Sequence, residues 1–187
     1  MASIATTGVT LSSDFYLSKF YKDNRSTRKS SGRLELSDSE LSYEDARALR
    51  RAVKQLSSYK FSDEENADNI RNTVKAFVST YNNALSSTGG NSSSEINRYA
   101  KKLKELATKY GDELNDIGVT KKSDGTLSVS DNLLKAADTS KLKKIFSKED
   151  SSLLKTTEQI AKRLLSNSYN DIYTQLTGNG GKLNITL

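Results

Sequence analysis

The sequence predicts a mainly α-helical protein: an elongated antiparallel bundle of three longer helices and several short ones, with one small β-hairpin near residues 119–129. Three observations predict this class. Apolar residues recur every three or four positions over long stretches. The chain has no proline, so its helices can continue without interruption. Hydrophobic residues make up only 34% of the 187 residues, and so thin a core suits an elongated bundle better than a compact sphere.

Residues 1–40 have the composition of a flexible N-terminal arm. They are rich in Ser, Thr and Asn, and they carry a basic cluster and one apolar-aromatic patch. Such a composition favours a mobile segment, and a docking or export segment is the functional alternative. The helical period then begins, and Ser42-Tyr43-Glu44-Asp45 is predicted to start a short first helix.

Two long amphipathic helices are predicted next, one over Ser62 to Leu85 and one over Ser92 to Ile117. Each begins with a capping box, in which a Ser is followed three residues later by a Glu. The loop between them contains Gly89 and Gly90, and so short a connection predicts an antiparallel helical hairpin. Gly118 follows the second helix at the position of a left-handed helix terminator.

The remaining elements are shorter, apart from the last helix. Two alternating segments flank Asp124-Gly125, which is a strong β-hairpin signal. A short helix is predicted after Ser130, followed by a further turn. A final long helix is predicted to begin at Ser147-Lys148-Glu149-Asp150 and to end at Gly178. The helical bundle domain would thus span 41–178, with a C-terminal tail over 179–187.

The residue types argue against catalysis. The chain has neither Cys nor His, which excludes thiolate nucleophiles, cysteine-ligated zinc and Ser-His-Asp triads. Gly178-Asn179-Gly180-Gly181-Lys182 departs from a phosphate-binding loop in its spacing and follows a helix. Ser123-Asp124-Gly125 lacks the preceding acids of a calcium loop. We therefore expect no enzyme, no cofactor and no metal site, although carboxylate pairs formed only by folding stay open.

The charge permits an anionic partner without requiring one. The net charge is +6, but most basic residues alternate with acids, as on a solvated helical surface. A basic aromatic surface for nucleic acid is conceivable, but the lysines spread over a wide arc of the helix while the tyrosines fall on its apolar face. The residues concerned are Tyr99, Lys101, Lys102, Lys104, Lys109 and Tyr110. No apolar run is long enough for a membrane span, and residues 1–12 lack the features of a signal peptide, so we expect no membrane insertion and no classical signal peptide.

Two sequence blocks carry a resemblance to a known family. The first is Val74-Lys75-Ala76-Phe77-Val78-Ser79-Thr80-Tyr81-Asn82-Asn83-Ala84-Leu85, with a Phe-Val-x-x-Tyr-Asn core. The second comprises Ile117-Gly118-Val119-Thr120, then Asp124-Gly125-Thr126-Leu127-Ser128-Val129, then Leu133-Leu134-Lys135-Ala136-Ala137, and closes on Lys144-Ile145-Phe146. In order and spacing both blocks resemble the C-terminal helical region of flagellar filament-cap proteins, the hook-associated protein 2 family. The resemblance covers about residues 63–176. Family members are much longer, and residues 1–40 do not match their N-terminal helix, so this chain would be a reduced or divergent member.

The resemblance implies a bacterial structural protein that is exported to the flagellum and packs its helices against like subunits or an axial protein such as flagellin. The family pattern falls on residues in structural roles: Phe77, Val78, Tyr81, Asn82, Gly118, Asp124, Gly125, Thr126, Leu127 and Phe146. The apolar face of the last helix supplies candidate residues for packing with a partner: Leu153, Ile160, Leu164, Ile172 and Leu176. Two alternatives stay open, a cytoplasmic helical binding module or export chaperone and a basic nucleic-acid-binding protein.

Overall fold

The computed structural model describes residues 36–61, 67–147 and 151–177. Within these ranges the chain is mainly helical and contains one antiparallel two-stranded hairpin, so the predicted fold class is confirmed. The elements in chain order are α1 (Asp38–Ser58), α2 (Ala67–Gly89), α3 (Ser94–Lys109), α4 (Gly111–Asn115), β1 (Val119–Lys121), β2 (Leu127–Val129), α5 (Asp131–Ala136), α6 (Thr139–Phe146) and α7 (Ser152–Thr177).

The four long helices, α1, α2, α3 and α7, form a bundle in which α1 and α3 each pack against both α2 and α7. Contacts between helix ends show that neighbours are antiparallel. Ser42, near the start of α1, donates to the Ser87 carbonyl near the end of α2 at 3.1 Å. Tyr59, just after α1, is hydrogen-bonded to Thr73 near the start of α2 at 3.0 Å. The hairpin and the short helices α4 to α6 form the long connection between α3 and α7.

The core of the bundle consists of side chains from all four long helices together with the hairpin and the short helices. Among the described residues, the exposed large hydrophobic side chains are Leu133 and Tyr169. The largest fully buried side chains are Tyr81, Tyr99, Phe77, Phe146, Leu49, Leu56, Ile70, Ile96, Leu103, Leu114, Ile117 and Leu134. The helices thus bury nearly all of their large apolar side chains against one another.

The first helix is longer than predicted. It begins at Asp38 and has 21 residues, so it starts within the segment assigned to the N-terminal arm, whose residues 1–35 lie outside the described ranges. Ser37 forms a capping box with Glu40, and this box determines the start. The prediction that Ser42 caps the helix was wrong, because Ser42 is buried and its hydroxyl bonds to α2. The bundle therefore has four long helices.

The two central helices also end at positions other than those predicted. Helix α2 continues beyond Leu85 to Gly89, and within this last turn the buried Thr88 hydroxyl bonds to the Ala84 carbonyl at 2.6 Å. Helix α3 ends at Lys109, and after Tyr110 the separate α4 begins at Gly111. The capping box predicted at Ser62 lies outside the described residues.

The hairpin forms where the sequence places it. Val119 pairs with Val129 and Lys121 with Leu127, in antiparallel register. Gly118 and Gly125 have φ values of +79° and +90°, which L side chains rarely adopt.

The last helix begins later than predicted. Ser147 follows the end of α6, and α7 begins at Ser152. The Ser151 hydroxyl accepts a hydrogen bond from the Leu154 amide at 3.0 Å, so Ser151 caps this helix. Residues 148–150 and the predicted tail, together with Gly178, lie outside the described ranges.

Candidate functional site

The two sequence blocks that carry the family resemblance lie in direct contact. We call this contact the hairpin clasp, formed by Tyr81 and Asn82 of α2 with Gly125 and Leu127 of the hairpin. The Asn82 side chain pairs with the backbone of Leu127 in both directions. Its Nδ2 donates to the Leu127 carbonyl at 2.8 Å, and its Oδ1 accepts from the Leu127 amide at 2.8 Å. The Asn82 side chain thus makes the two backbone hydrogen bonds that a neighbouring strand would make to Leu127 of β2.

Tyr81 ties the same hairpin to two helices. Its hydroxyl lies 2.9 Å from the Leu103 carbonyl and 3.1 Å from the Gly125 carbonyl, so its single proton is shared between α3 and the hairpin turn. The residue is 1% exposed. Burial raises the pKa of the phenol well above its usual range, and the negative charge of Asp124 adds to the effect. Tyr81 therefore acts as a neutral donor.

The hairpin turn is held by its own side chains and lies against α3. Asp124 accepts from the amide of Thr126 at 2.8 Å and from its hydroxyl at 2.6 Å, and these bonds lower the pKa of Asp124. A Cβ on Gly125 would lie 2.6 Å from Cγ of Lys104. The turn can therefore approach α3 this closely only with glycine at this position.

The other residues of the family pattern support the clasp from the core. Phe77 packs edge-on against Phe146, with ring centroids 5.8 Å apart and an interplanar angle of 68°. Val78 is buried in the same core. A Cβ on Gly118 would lie 2.6 Å from the Cβ of Leu133, so Gly118 allows α5 to approach the start of β1. The pattern residues are thus brought together, and each has a packing or hydrogen-bonding role.

The face of α7 predicted to pack with a partner is largely occupied within the chain. Leu153, Ile160 and Leu164 are buried in the bundle core, so they are not available to a partner, and this part of the prediction is corrected. The reason is that α7 packs against both α1 and α3, which covers its apolar face. Ile172 is only half-buried, and the side chain of Leu176 is not described.

A groove between α3 and α7 was not predicted. We call it the α3–α7 groove; it encloses about 320 Å³ and is lined by Tyr99, Lys102, Glu105, Leu106, Lys109, Thr156, Gln159, Ile160 and Arg163. Leu106, Ile160 and Tyr99 lie beneath it and are almost fully buried in the core. Interhelical hydrogen bonds fix both ends: Asn167 donates to the Tyr99 hydroxyl at 3.2 Å, and the Tyr110 hydroxyl bonds to Ser152. The groove is therefore a fixed feature of the bundle surface.

The basic aromatic surface considered for nucleic acid is only partly assembled. Lys102 and Lys109 line the groove, and each has its charged group over a tyrosine ring. The Lys102 Nζ lies 5.1 Å from the centroid of the Tyr99 ring, and the Lys109 Nζ lies 5.1 Å from the centroid of the Tyr110 ring. Lys101 instead pairs with Glu105 at 3.9 Å. Tyr99 is 1% exposed and belongs to the core, as its place on the apolar face predicts.

In the part of the chain that the structure describes, no three His, Cys, Asp or Glu side chains are grouped so that they could hold a metal ion. No helix in the described ranges combines the length and the apolar character needed to cross a membrane.

Comparison with known proteins adds no family. No protein-family model matches the chain, and neither a curated protein nor a solved structure matches it.

Proposed function

We propose that this protein is a non-catalytic structural protein that works by packing its helices against a protein partner, as a reduced or divergent relative of the flagellar filament caps. The observation that carries the proposal is the hairpin clasp. Two blocks that resemble the same family, separated by about 30 residues of chain, are joined through Asn82, Tyr81 and the backbone of the hairpin. A shared folding unit is what kinship across both blocks requires, and the contact between the blocks meets that requirement.

Kinship of this kind also implies where the protein acts. A filament-cap relative would leave the bacterium through the flagellar export route and assemble with like subunits or with flagellin outside the cell. The absence of His and Cys from the whole sequence agrees with a role that needs no acid-base or thiolate chemistry.

The experiment that tests this function measures association directly. Sedimentation velocity over a range of concentrations tests self-association, and biolayer interferometry tests binding to purified flagellin and hook-associated proteins of the same bacterium. We expect saturable self-association or binding to an axial protein, and no binding to an unrelated four-helix bundle used as the control. A chain that stays monomeric and binds none of the axial proteins would overturn the proposal.

A second candidate function is a cytoplasmic helical binding module or export chaperone. The observation in its favour is the completeness of the bundle, in which Leu133 and Tyr169 are the exposed large hydrophobic side chains among the described residues. Such a bundle can fold alone and hold a partner in a surface groove. Immunodetection in culture supernatant, compared between cells with and without a working flagellar export apparatus, separates the two: export supports the cap relative, and retention supports the cytoplasmic module.

A further inference from the structure

The first turns of α1, residues 38–46, contribute little apolar surface to the core. We call these residues the α1 strap. Their fully buried side chains are Ser39, Ser42, Asp45 and Ala46. The rest of the helix instead buries Ala48, Leu49, Ala52, Val53 and Leu56. Since burial of apolar surface supplies most of the favourable free energy of folding, the strap is held less firmly than the rest of α1.

Polar contacts hold the strap against its neighbours. The Ser39 hydroxyl donates to the carboxylate of Asp171 on α7. The Ser42 hydroxyl donates to the Ser87 carbonyl of α2 at 3.1 Å and accepts from the side-chain amide of Asn91 at 3.0 Å. Water can replace each of these partners once the strap is exposed, so the net contribution of each bond to stability is modest. The strap can therefore leave the bundle without a large loss of apolar burial.

The interior at the level of the strap would gain solvation when the strap leaves. Ser168 of α7 is 0% exposed, and its hydroxyl has no hydrogen-bond partner among the described residues. It lies three residues before Asp171, the residue that Ser39 contacts, and so on the same side of α7. A buried hydroxyl without a partner costs free energy, and water entering at this point would satisfy it. Opening is thus favoured at this end of the bundle.

The opposite end of the bundle has an apolar interior. The side chains buried there, at the end of α1 and the starts of α2 and α7, include Leu56, Phe61, Ile70, Leu153 and Leu154. The buried hydroxyl of Thr157 bonds within its own helix, to the Leu153 carbonyl at 2.8 Å. Opening this end would expose large apolar side chains to water, so it should stay packed while the strap moves.

We propose that the α1 strap detaches from the closed bundle while the rest of the helices stays folded, and that this opening gives a protein partner access to the interior. The access of a partner rests on the proposed function. In the closed bundle, Leu133 and Tyr169 are the exposed large hydrophobic side chains of the described chain, so packing with a partner needs more surface than the closed state presents. Within one turn of Ser87 and Ser168, α2 and α7 bury Leu85 and Leu165, which detachment would bring within reach of a partner.

Hydrogen exchange of the full chain, followed by NMR, tests the detachment. Residues 42–46 occupy the fifth to ninth positions of α1, and residues 156–160 occupy the same positions of α7. Both sets lie near the start of a long helix, so ordinary fraying affects them alike, but the first turns of α7 bury Leu153, Leu154 and Ile160. We expect the amides of 42–46 to exchange at least about tenfold faster than those of 156–160, and faster than global unfolding allows.

A cross-link provides the matched variant, because the chain has no cysteine of its own. Tyr43 of the strap and Tyr169 of α7 have ring centroids 6.4 Å apart, so Tyr43→Cys with Tyr169→Cys can be joined by a short bismaleimide. The control cross-link joins Tyr110→Cys with Ser152→Cys, whose native hydroxyls are hydrogen-bonded near the opposite end of the bundle. Both variants are also measured without the reagent, which separates the cross-link from the substitutions, and circular dichroism verifies that they keep the fold.

We expect the cross-link at Tyr43 and Tyr169 to slow exchange at 42–46 at least about tenfold and to change exchange at 156–160 by less than about twofold. The control cross-link should leave exchange at 42–46 within about twofold of its value without the reagent. Equal exchange of the two sets in the wild type overturns the proposal. Exchange at 42–46 that the cross-link to α7 leaves unchanged overturns it as well.

The same proteins test the access of a partner. Self-association and binding to flagellin or hook-associated proteins should be at least about tenfold weaker with the strap cross-linked than with the control cross-link. Equal association in the two refutes access through the strap. A wild-type chain that associates with none of these proteins contradicts the proposed function, while its hydrogen exchange still decides whether the strap detaches.

Discussion

A single side chain, Asn82, makes the main polar connection between α2 and the hairpin. An amide side chain has both a donor and an acceptor, so it can pair with the amide and carbonyl of one backbone residue at once. Leu127 is that residue, and both distances are 2.8 Å. The amide and carbonyl of Leu127 thus find their hydrogen-bond partners on α2, and these two bonds fix the hairpin against the bundle.

Replacing Asn82 by Ala is expected to lower the free energy of unfolding by about 1–3 kcal/mol, because the amide and carbonyl of Leu127 would lose their partner in a partly buried site. Urea denaturation followed by circular dichroism measures the change. Asn83→Ala is the matched control, since the Asn83 side chain has no hydrogen-bond partner among the described residues and its loss should change the value by less than about 0.5 kcal/mol. Equal losses in the two variants would refute the role of Asn82.

The turn residue Asp124 should make a pH-dependent contribution to stability. Its two bonds from Thr126 lower its pKa below the ordinary value of 3.8, so the folded state binds this proton less readily than the unfolded state does. The contribution is therefore complete above pH 3.8 and is lost as the pH falls through the lowered pKa of the folded state. A carboxyl titration by NMR should give a midpoint below 3.8.

The matched variant for this titration is Thr126→Val, which keeps the shape of the side chain but removes the hydroxyl bond. Because that bond is the largest cause of the shift, the midpoint of Asp124 should move up towards 3.8. A wild-type midpoint at or above 3.8, or a midpoint unchanged by the variant, contradicts this explanation.

At the scale of the helix, the two serine caps differ. Ser37 accepts a bond from the Glu40 amide, and Glu40 in turn accepts from the Ser37 amide at 2.8 Å, which also lowers the pKa of Glu40. The capping box predicted at Ser92 does not form, because Ser93 is the N-cap of α3 and its side chain makes no capping bond. The first box therefore stabilises α1 by satisfying free amides, whereas the second serine contributes little.

We expect Ser37→Ala to lower the free energy of unfolding by about 1 kcal/mol, because it removes the side-chain acceptor at the start of α1. Ser93→Ala should have an effect of less than about 0.5 kcal/mol. Thermal or urea unfolding of both variants beside the wild type measures the difference. A cost at Ser93 as large as that at Ser37 would mean that the hydrogen bonds at these caps do not determine helix stability.

At the scale of the whole molecule, closure of the bundle decides which apolar residues are available. Helix α7 contacts both α1 and α3, and Leu164 of α7 is fully buried in the core. Leu133, on the short α5, is 58% exposed. The chain therefore needs α7 for its own stability before any partner is considered.

Leu164→Ala is expected to destabilise the isolated monomer by about 2–5 kcal/mol, because it leaves a cavity in the core. Leu133→Ala should cost less than about 0.5 kcal/mol, since its side chain is largely in solvent. Chemical denaturation at concentrations where the chain is monomeric gives both values. Little effect of Leu164→Ala under those conditions would show that this side chain is buried only in an assembly.

The local elements could be read from the sequence because their signals are local. Spacings of three and four apolar residues predict helices, and Asp124-Gly125 between alternating segments predicts the hairpin. The start of α1 could also have been read, since Ser37 and Glu40 have capping-box spacing, but the polar composition of residues 1–40 obscured it. The end of α2 could not be read from the sequence, because the side chains of Ser87 and Thr88 become buried only when α1 packs beside them.

The sequence by itself determined the helical class and the hairpin, since each depends on neighbours within a few positions. The residues of the clasp were singled out only by the resemblance to a known family. Only the tertiary structure decided that Asn82 pairs with Leu127, that the apolar face of α7 is consumed by α1 and α3, and that Lys102, Lys109 and Arg163 border one groove. Periodicity gives the face of a helix that is apolar but not the helix that will cover it. That choice depends on the packing of residues far apart in the chain, for which a single sequence contains no local signal.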